Sequence, residues 1–439
     1  MIDSTAMNND VFATVLTGGF GALRGSSCPG IEAVQVTTAS NDSAALSVAL
    51  QKNGVLAEVS SPTWMTRDGD LLYAVLEDTN EVAAFRIASA EAGNDLHLAE
   101  LSRVATPGAS PTHAVVCTDD SGARHLIVAC YADGHVCVHP IAADGSVLEA
   151  TQTLIGEGHG PLPAQEGPHA HWILPLPDGR VLSTDLGADR IYVHHWDSGE
   201  LVRDGAVRLA PGTGPRDMHL LPAAGGTTKH DWRVAVVGEW GNTVTLLAPT
   251  ADSDATAGIA IVQTVELGGD PLDQAASLAF VPWSVLDKDA HAAGSSAQSP
   301  TGARAGALVG TATGSVVSAE HNGAIGAVVG SVVGSIADDV GRDSSGIAYV
   351  GLRGSERIVA LGWDGQRLNR LAATNEPGWQ GHGVNCGGSR PRHILPIGNL
   401  LLVANEVSNT VTAFALAADG EPTRVADLPS GSPTVFVQL

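Results

Sequence analysis

Imidazole, guanidinium and carboxylate side chains recur at two repeated places in this chain. Three short motifs carry most of the basic groups: PHAH at 168–171, GPRD at 214–217 and RPRH at 390–393. With PTH at 111–113 they supply His113, His169, His171, Arg216, Arg390, Arg392 and His393. A second set lies in short polar turns: Glu77, Asp185, Glu239, Arg353 and Glu406. A guanidinium binds carboxylate or phosphate through paired hydrogen bonds. A histidine and a carboxylate can move protons near neutral pH. His171 and Glu239 are the candidates for that work, and a salt bridge to a neighbouring arginine is the competing role for Glu239. Arg216 and Arg392 are the candidates for holding an anion. His169 and His171 stand two apart on a strand-like run, so both can face one side and a metal pair is open to them. No third ligand accompanies them, and no metal or other cofactor is expected. His113, His393 and Arg390 read as structural, and Asp185 as fixing its own turn. There is no GxSxG motif and Cys386 has no evident partner, so covalent catalysis is not indicated.

The elements that must position these groups form a repeat. Six segments share an apolar run, a short polar turn and a second alternating run. They begin at Leu71, Leu126, Val181, Val234, Ile347 and Leu401, as in LLYAVLEDTNEVAAFRI and LLVANEVSNTVTAFAL. Each reads as a β-hairpin. Each is preceded by another short strand: SPTWM, SPTHAVV, GPHAHWIL, GPRDMHLL, AASLAFV and RPRHILP. The first four of these start at Pro62, Pro111, Pro168 and Pro215, and a fourth strand completes each unit. A spacing of about fifty residues suits a four-stranded propeller blade. SPTVFVQL at the C-terminus reads as the first strand of a seventh unit, with VFATVLTGG and GIEAVQVTT of the N-terminus as its second and third. The fold expected is all-β: a seven-bladed β-propeller of four-stranded antiparallel blades, the ring closed by N- and C-terminal strands in one blade. Such closure removes free sheet edges, which a solenoid would keep. The whole chain, 1–439, reads as a single propeller domain with a Gly/Ala/Ser/Val-rich insertion at about 287–345.

Strand order then sorts the candidate residues. The connection into the first strand and the turn after the second strand lie on the same face of the disc. Both sets of chemistry-bearing residues therefore converge at one end of the central channel, and the insertion belongs to the other face. Fold alone does not name an activity.

The pieces LLYAVLED, GPHAHWILPLPDGRVLSTDLGADRIYVHHW, GPRDMHLLP with VAVVGEWGNTVTLL, and SRPRHILPIGNLLLVANEVSNTVTAF resemble the seven-bladed lactonase family. That family comprises the propeller-type 6-phosphogluconolactonases and their muconate-cyclising relatives. The resemblance implies hydrolysis of a sugar lactone, 6-phosphogluconolactone first among them, as in the pentose phosphate pathway. It implicates His171, Arg216, Glu239 and Arg392 in the cleft, with Glu77 as a supporting substrate contact; His169, beside His171, is a further candidate for binding substrate. The arginines could then stabilise charge developing on a lactone carbonyl oxygen. Two departures stand out: Asp217 follows the GPR arginine where the family usually has histidine, and the fifth unit lacks its leading proline. A muconate-type cycloisomerase and a non-catalytic scaffold remain as alternatives.

Bulk properties narrow the partners. The 439 residues carry 23 basic and 47 acidic side chains, a net charge of −24. That field repels nucleic acid and anionic membranes, so neither is an expected partner. A small-molecule lactone is, acting on a monomer or weak homo-oligomer. Five cysteines without a CxxC pattern suit a reducing compartment. The N-terminal MIDSTAMNND has no basic region ahead of an apolar stretch, so it does not read as a signal peptide, and a cytoplasmic location is expected.

Overall fold

A computed structural model describes residues 10–40, 46–89, 96–252, 255–270, 273–286, 344–373 and 376–439. Its described residues form seven antiparallel sheets with four strands on the main path of each. Numbered along the chain, the first strands of blades 1 to 6 are Pro62–Asp68, Pro111–Thr118, Ala170–Pro175, Pro215–Leu221, Ala275–Pro282 and Pro391–Ile397. Blade 7 takes its first strand from the C-terminus, Pro433–Gln438, and its other three from Asp10–Gly19, Ile31–Ser40 and Leu46–Ala57. Each first strand touches that of the next blade, and Pro433–Gln438 touches Pro62–Asp68, which closes the ring. The expected architecture is therefore the observed one. The low-complexity stretch at 287–345 lies outside the described residues except for its last two.

Burial explains the strand choice. Second strands such as Leu71–Leu76 are buried at every residue, because both sheet faces pack against neighbouring blades. Outer strands such as Leu96–Ala105 mix half-buried and exposed positions. Each fully buried Leu or Val contributes about 1.5–3 kcal/mol. The tyrosines of two second strands tie adjacent blades: Tyr73 Oη donates to Gly145 O (3.1 Å) and Tyr349 Oη to Gly420 O (2.6 Å).

The hairpin turns share one device. Asn80, Gly134, Asp189, Asn242, Glu356 and Asn409 all end the second-to-third-strand turn in the left-handed region. Asn, Asp and Gly tolerate that conformation best. In all six, the carbonyl of this residue accepts a backbone N–H from the chain leaving the outer strand, as in Thr106 N–H to Asn80 O (2.8 Å) and Ser430 N–H to Asn409 O (2.9 Å). The turns are thereby held rigid at the face where the chemistry-bearing residues lie.

One register differs from the sequence expectation. Ala170, not Pro168, takes the place in blade 3 that Pro62, Pro111 and Pro215 hold, because Ala170 pairs with Asp185 at the end of the second strand. The leading prolines are thus not equivalent, and the blade 3 frame is two residues later than its motif suggests.

Candidate active site

Two backbone features, repeated in all seven blades, build the site. Every first strand carries a one-residue register shift just after it begins, for example between Pro62 and Trp64 and between Pro391 and His393. Such a β-bulge breaks the in–out alternation and re-aims a side chain. The bulge segments hold Thr63, Thr112, His171, Arg216 with Asp217, Arg392 and Thr434, and these line one pocket at the mouth of the channel. The second feature is the residue following each second strand: Phe20, Glu77, Tyr131, Leu186, Glu239, Arg353 and Glu406. Its N–H donates to the carbonyl of the residue just ahead of the first strand, as in Glu77 to Ser61 (3.0 Å), Glu239 to Gly214 (2.8 Å) and Leu186 to His169 (2.8 Å). Five of those preceding residues, Ser61, Ser110, Gly214, Arg390 and Ser432, have left-handed φ, a conformation costly for a residue other than glycine.

The pocket spans about 340 Å³, a volume that includes the open solvent at its mouth. Its floor is aromatic. His113 stacks on Trp172 (3.9 Å between centroids), and Trp64 packs against His113 (4.7 Å), Trp172 (4.6 Å) and His393 (5.4 Å). His113 Nδ1 accepts the Ile173 N–H (3.2 Å) and His393 Nδ1 the Phe436 N–H (3.0 Å), so both rings are neutral acceptors serving the backbone. Burial, first of all, pushes the His393 pKa down to about 4.

The charged groups are paired across blades. Arg216 Nη1 donates to Asp217 Oδ1 (2.7 Å) and to Ala276 O (2.8 Å), and its Nε lies 3.2 Å from Glu239 Oε2. The other Glu239 oxygen meets Arg353 Nη2 at 2.5 Å. Glu239 is thus clamped between two guanidiniums, which makes it a counter-charge that orients Arg216. Arg392 Nη1 donates to Glu406 Oε2 (2.9 Å) while its guanidinium covers the Phe20 ring at 4.9 Å. Burial opposes the Arg392 charge, but Glu406 and Glu77 outweigh it and the pKa is raised. Glu77 accepts from Thr63 Oγ1 (2.8 Å) and pairs with Arg24 (2.7 Å). Burial raises its pKa against the pull of Arg392 and Arg24.

His171 is buried in the pocket wall, and its Nδ1 has no hydrogen-bond partner among the described residues. Burial, reinforced by Arg216 and Arg392, holds its pKa well below the usual imidazole value, so the ring is neutral. His169 stands outside the pocket lining: its Nδ1 contacts Tyr131 O (2.7 Å) and its ring stacks on Tyr131 (4.5 Å, 13°). Tyr131 also meets the edge of His171 (6.2 Å, 90°). Arg390 lies off the pocket, in left-handed backbone, and donates to Gln274. Asp185 accepts from the His169 and Ala188 N–H groups, the turn-fixing role expected of it.

Sequence reasoning passed over Tyr131 and the phenyl ring of Phe20. The signal was available, since both follow a second strand as Glu77 and Glu239 do. All five cysteines are free and buried. Among the described residues no group of three His, Cys, Asp or Glu side chains is placed to hold a metal, and no helix is long and apolar enough to cross a membrane.

Fold and site together define a seven-bladed propeller with a polar, arginine-bearing pocket on its axis. The chain belongs to the family described as lactonase, 7-bladed beta-propeller, whose model matches residues 26–284. It is 31% identical over 179 residues to the 6-phosphogluconolactonase of Bacillus subtilis strain 168, a match covering 40% of this chain and 49% of that protein. The chain spans about half the length of the curated relatives it matches. Among solved structures it is similar to a putative 6-phosphogluconolactonase from Bacteroides fragilis (TM-score 0.65, 21% identity, 98% of each chain covered). It is also similar to a periplasmic gluconolactonase from Pseudomonas aeruginosa (TM-score 0.65, 20% identity, 97% and 99% covered). At these identities the structural likeness speaks for the fold.

Proposed function

We propose that this protein hydrolyses a sugar lactone by attack of water, with 6-phosphogluconolactone as the leading substrate. The observation that carries the reading is the meeting of Arg216, Arg392 and His171 in one pocket. Family membership and the name of the Bacillus subtilis relative support it. Arg392, whose charge Glu406 and Glu77 secure, holds the anionic group of the substrate. Arg216, oriented by Asp217 and Glu239, faces the carbonyl oxygen as it gains negative charge. Fixed cationic donors in a shielded site favour that charge strongly. His171 is neutral, so its N–H serves as a hydrogen-bond donor to the departing ring oxygen. None of these roles calls for a metal ion, and dialysis against a chelator is expected to leave the rate unchanged.

The test is purified protein with a panel of phosphorylated and unphosphorylated aldonolactones, followed by proton release at constant pH. Acceleration of ring opening above the spontaneous rate is expected, strongest for 6-phosphogluconolactone. Arg392→Ala is expected to lower kcat/KM by about 10²-fold, the size of a lost charge-assisted contact of roughly 3 kcal/mol. Failure of the wild-type protein to accelerate any lactone would remove the assignment.

A further inference from the structure

Among the described residues that line the pocket, one buried carboxylate oxygen is left unaccounted for by the charge pairing. Two carboxylates line the pocket, Glu77 and Asp217. Both oxygens of Glu77 are engaged, one by Arg24 and the other by Thr63. Glu239, next to them, is engaged on both sides by Arg216 and Arg353. Asp217 differs. It is 1% exposed, its Oδ1 accepts from Arg216, and its Oδ2 accepts no hydrogen bond from any described residue. A buried acceptor left without a partner bears the full cost of its lost hydration, and more so when it is charged. The His219 Nε2, likewise buried and without a hydrogen bond, lies 3.8 Å from that same oxygen. This separation is too long for a direct hydrogen bond, so neither atom satisfies the other.

We propose that Asp217 is the residue that activates the attacking water, with His219 standing behind the same carboxylate oxygen. The inference rests on the lactonase reading above. The bulge in blade 4 turns two consecutive side chains, Arg216 and Asp217, toward the same pocket, where plain strand alternation would send them to opposite faces. Cation and base therefore arrive together, one for the carbonyl oxygen and one for the nucleophile. In the forward step Asp217 Oδ2 takes a proton from water as the water oxygen bonds to the lactone carbonyl carbon. The carbonyl π pair moves onto its oxygen, facing Arg216. When that pair returns, the ring C–O bond breaks, and the departing oxygen collects the proton held by Asp217. Lactone and water are consumed, the hydroxy acid is formed, and the carboxylate of Asp217 is regenerated. The acid product then loses its own proton to solvent.

Asp217→Asn keeps the volume and the Oδ1 contact to Arg216 but cannot accept a proton. It is expected to lower kcat by about 10²–10⁴-fold, the usual worth of a positioned base, with KM within about threefold of wild type. Binding of the hydroxy-acid product, read by its competitive inhibition, should be retained, which shows that the site is still formed. Asp217→Ala, which opens space beside His219, should regain rate as formate is added, because formate supplies the missing carboxylate. Wild-type activity with Asp217→Asn retaining more than about one tenth of kcat would overturn this assignment and leave the lactonase reading standing. Absence of activity in the wild type would overturn both. A kcat loss in Asp217→Asn that comes with lost product binding, and no formate rescue of Asp217→Ala, would mark Asp217 as a counter-ion of Arg216 only.

Discussion

His393→Asn offers a clean test of how the channel floor is held. In the folded protein the buried His393 ring accepts the Phe436 N–H through Nδ1, so protonating that nitrogen would set two donors against each other. Burial accordingly lowers its pKa from 6.5 to about 4. In the unfolded chain the ring takes up a proton below about pH 6.5, while the folded protein does not follow until about pH 4. The stability this histidine confers is therefore complete above pH 6.5 and is lost progressively as pH falls toward 4. At 1.36 kcal/mol per pH unit, the loss between pH 7 and pH 5 is about 2 kcal/mol. Buried His194, lowered to about 3 by burial first and then by Arg203 and His195, adds a similar amount in wild type and variant alike. The asparagine side chain introduced by the substitution can keep the contact to Phe436 through its amide oxygen and has no proton to gain. The variant should lose about 1–3 kcal/mol at pH 7 from lost packing, and about 2 kcal/mol less than that relative to wild type at pH 5. Urea unfolding followed by tryptophan fluorescence at both pH values, at fixed ionic strength, measures the difference. An equal stability gap at pH 7 and pH 5 would refute the reasoning.

Glu239→Gln removes the shared counter-charge of Arg216 and Arg353. Breaking a buried pair typically costs about 3–5 kcal/mol, so a lowered urea midpoint is expected together with reduced activity. A change in activity alone, with the midpoint unmoved, would show that Glu239 acts on substrate directly and not as a clamp. Removing residues 433–439 takes away the strand that pairs with Asp10–Gly19 and exposes both that edge and the first strand of blade 1. The truncated chain should unfold over a broader urea range and self-associate, as free edges do. Sharp, wild-type-like unfolding by circular dichroism would contradict ring closure as a source of stability.

The sequence alone was enough for the architecture. Hairpins were legible because Asn, Asp and Gly at the turn ends are the residues that accept left-handed backbone, and Glu356 is the one turn end among the six that does not announce itself in this way. Buried second strands were legible as apolar runs, and the complementary termini announced the shared blade. His171, Arg216 and Arg392 could be placed at one face from strand order, since that needs only the direction of each strand.

Tertiary structure decided the rest, and the bulges are the reason. Each inserts one residue into the first strand, so the period-two rule that predicts sidedness fails at the very positions that carry the chemistry. His169 and His171 looked alike by spacing, yet only His171 enters the pocket lining. Asp217 was visible as an odd residue beside Arg216, but its free oxygen became apparent only once the partners of every nearby carboxylate were known. Those partners come from other blades: Glu239 meets Arg353, and Arg392 reaches the field of Glu77. Distances between residues far apart in the chain are set by how seven blades close into a ring, and no local pattern encodes them.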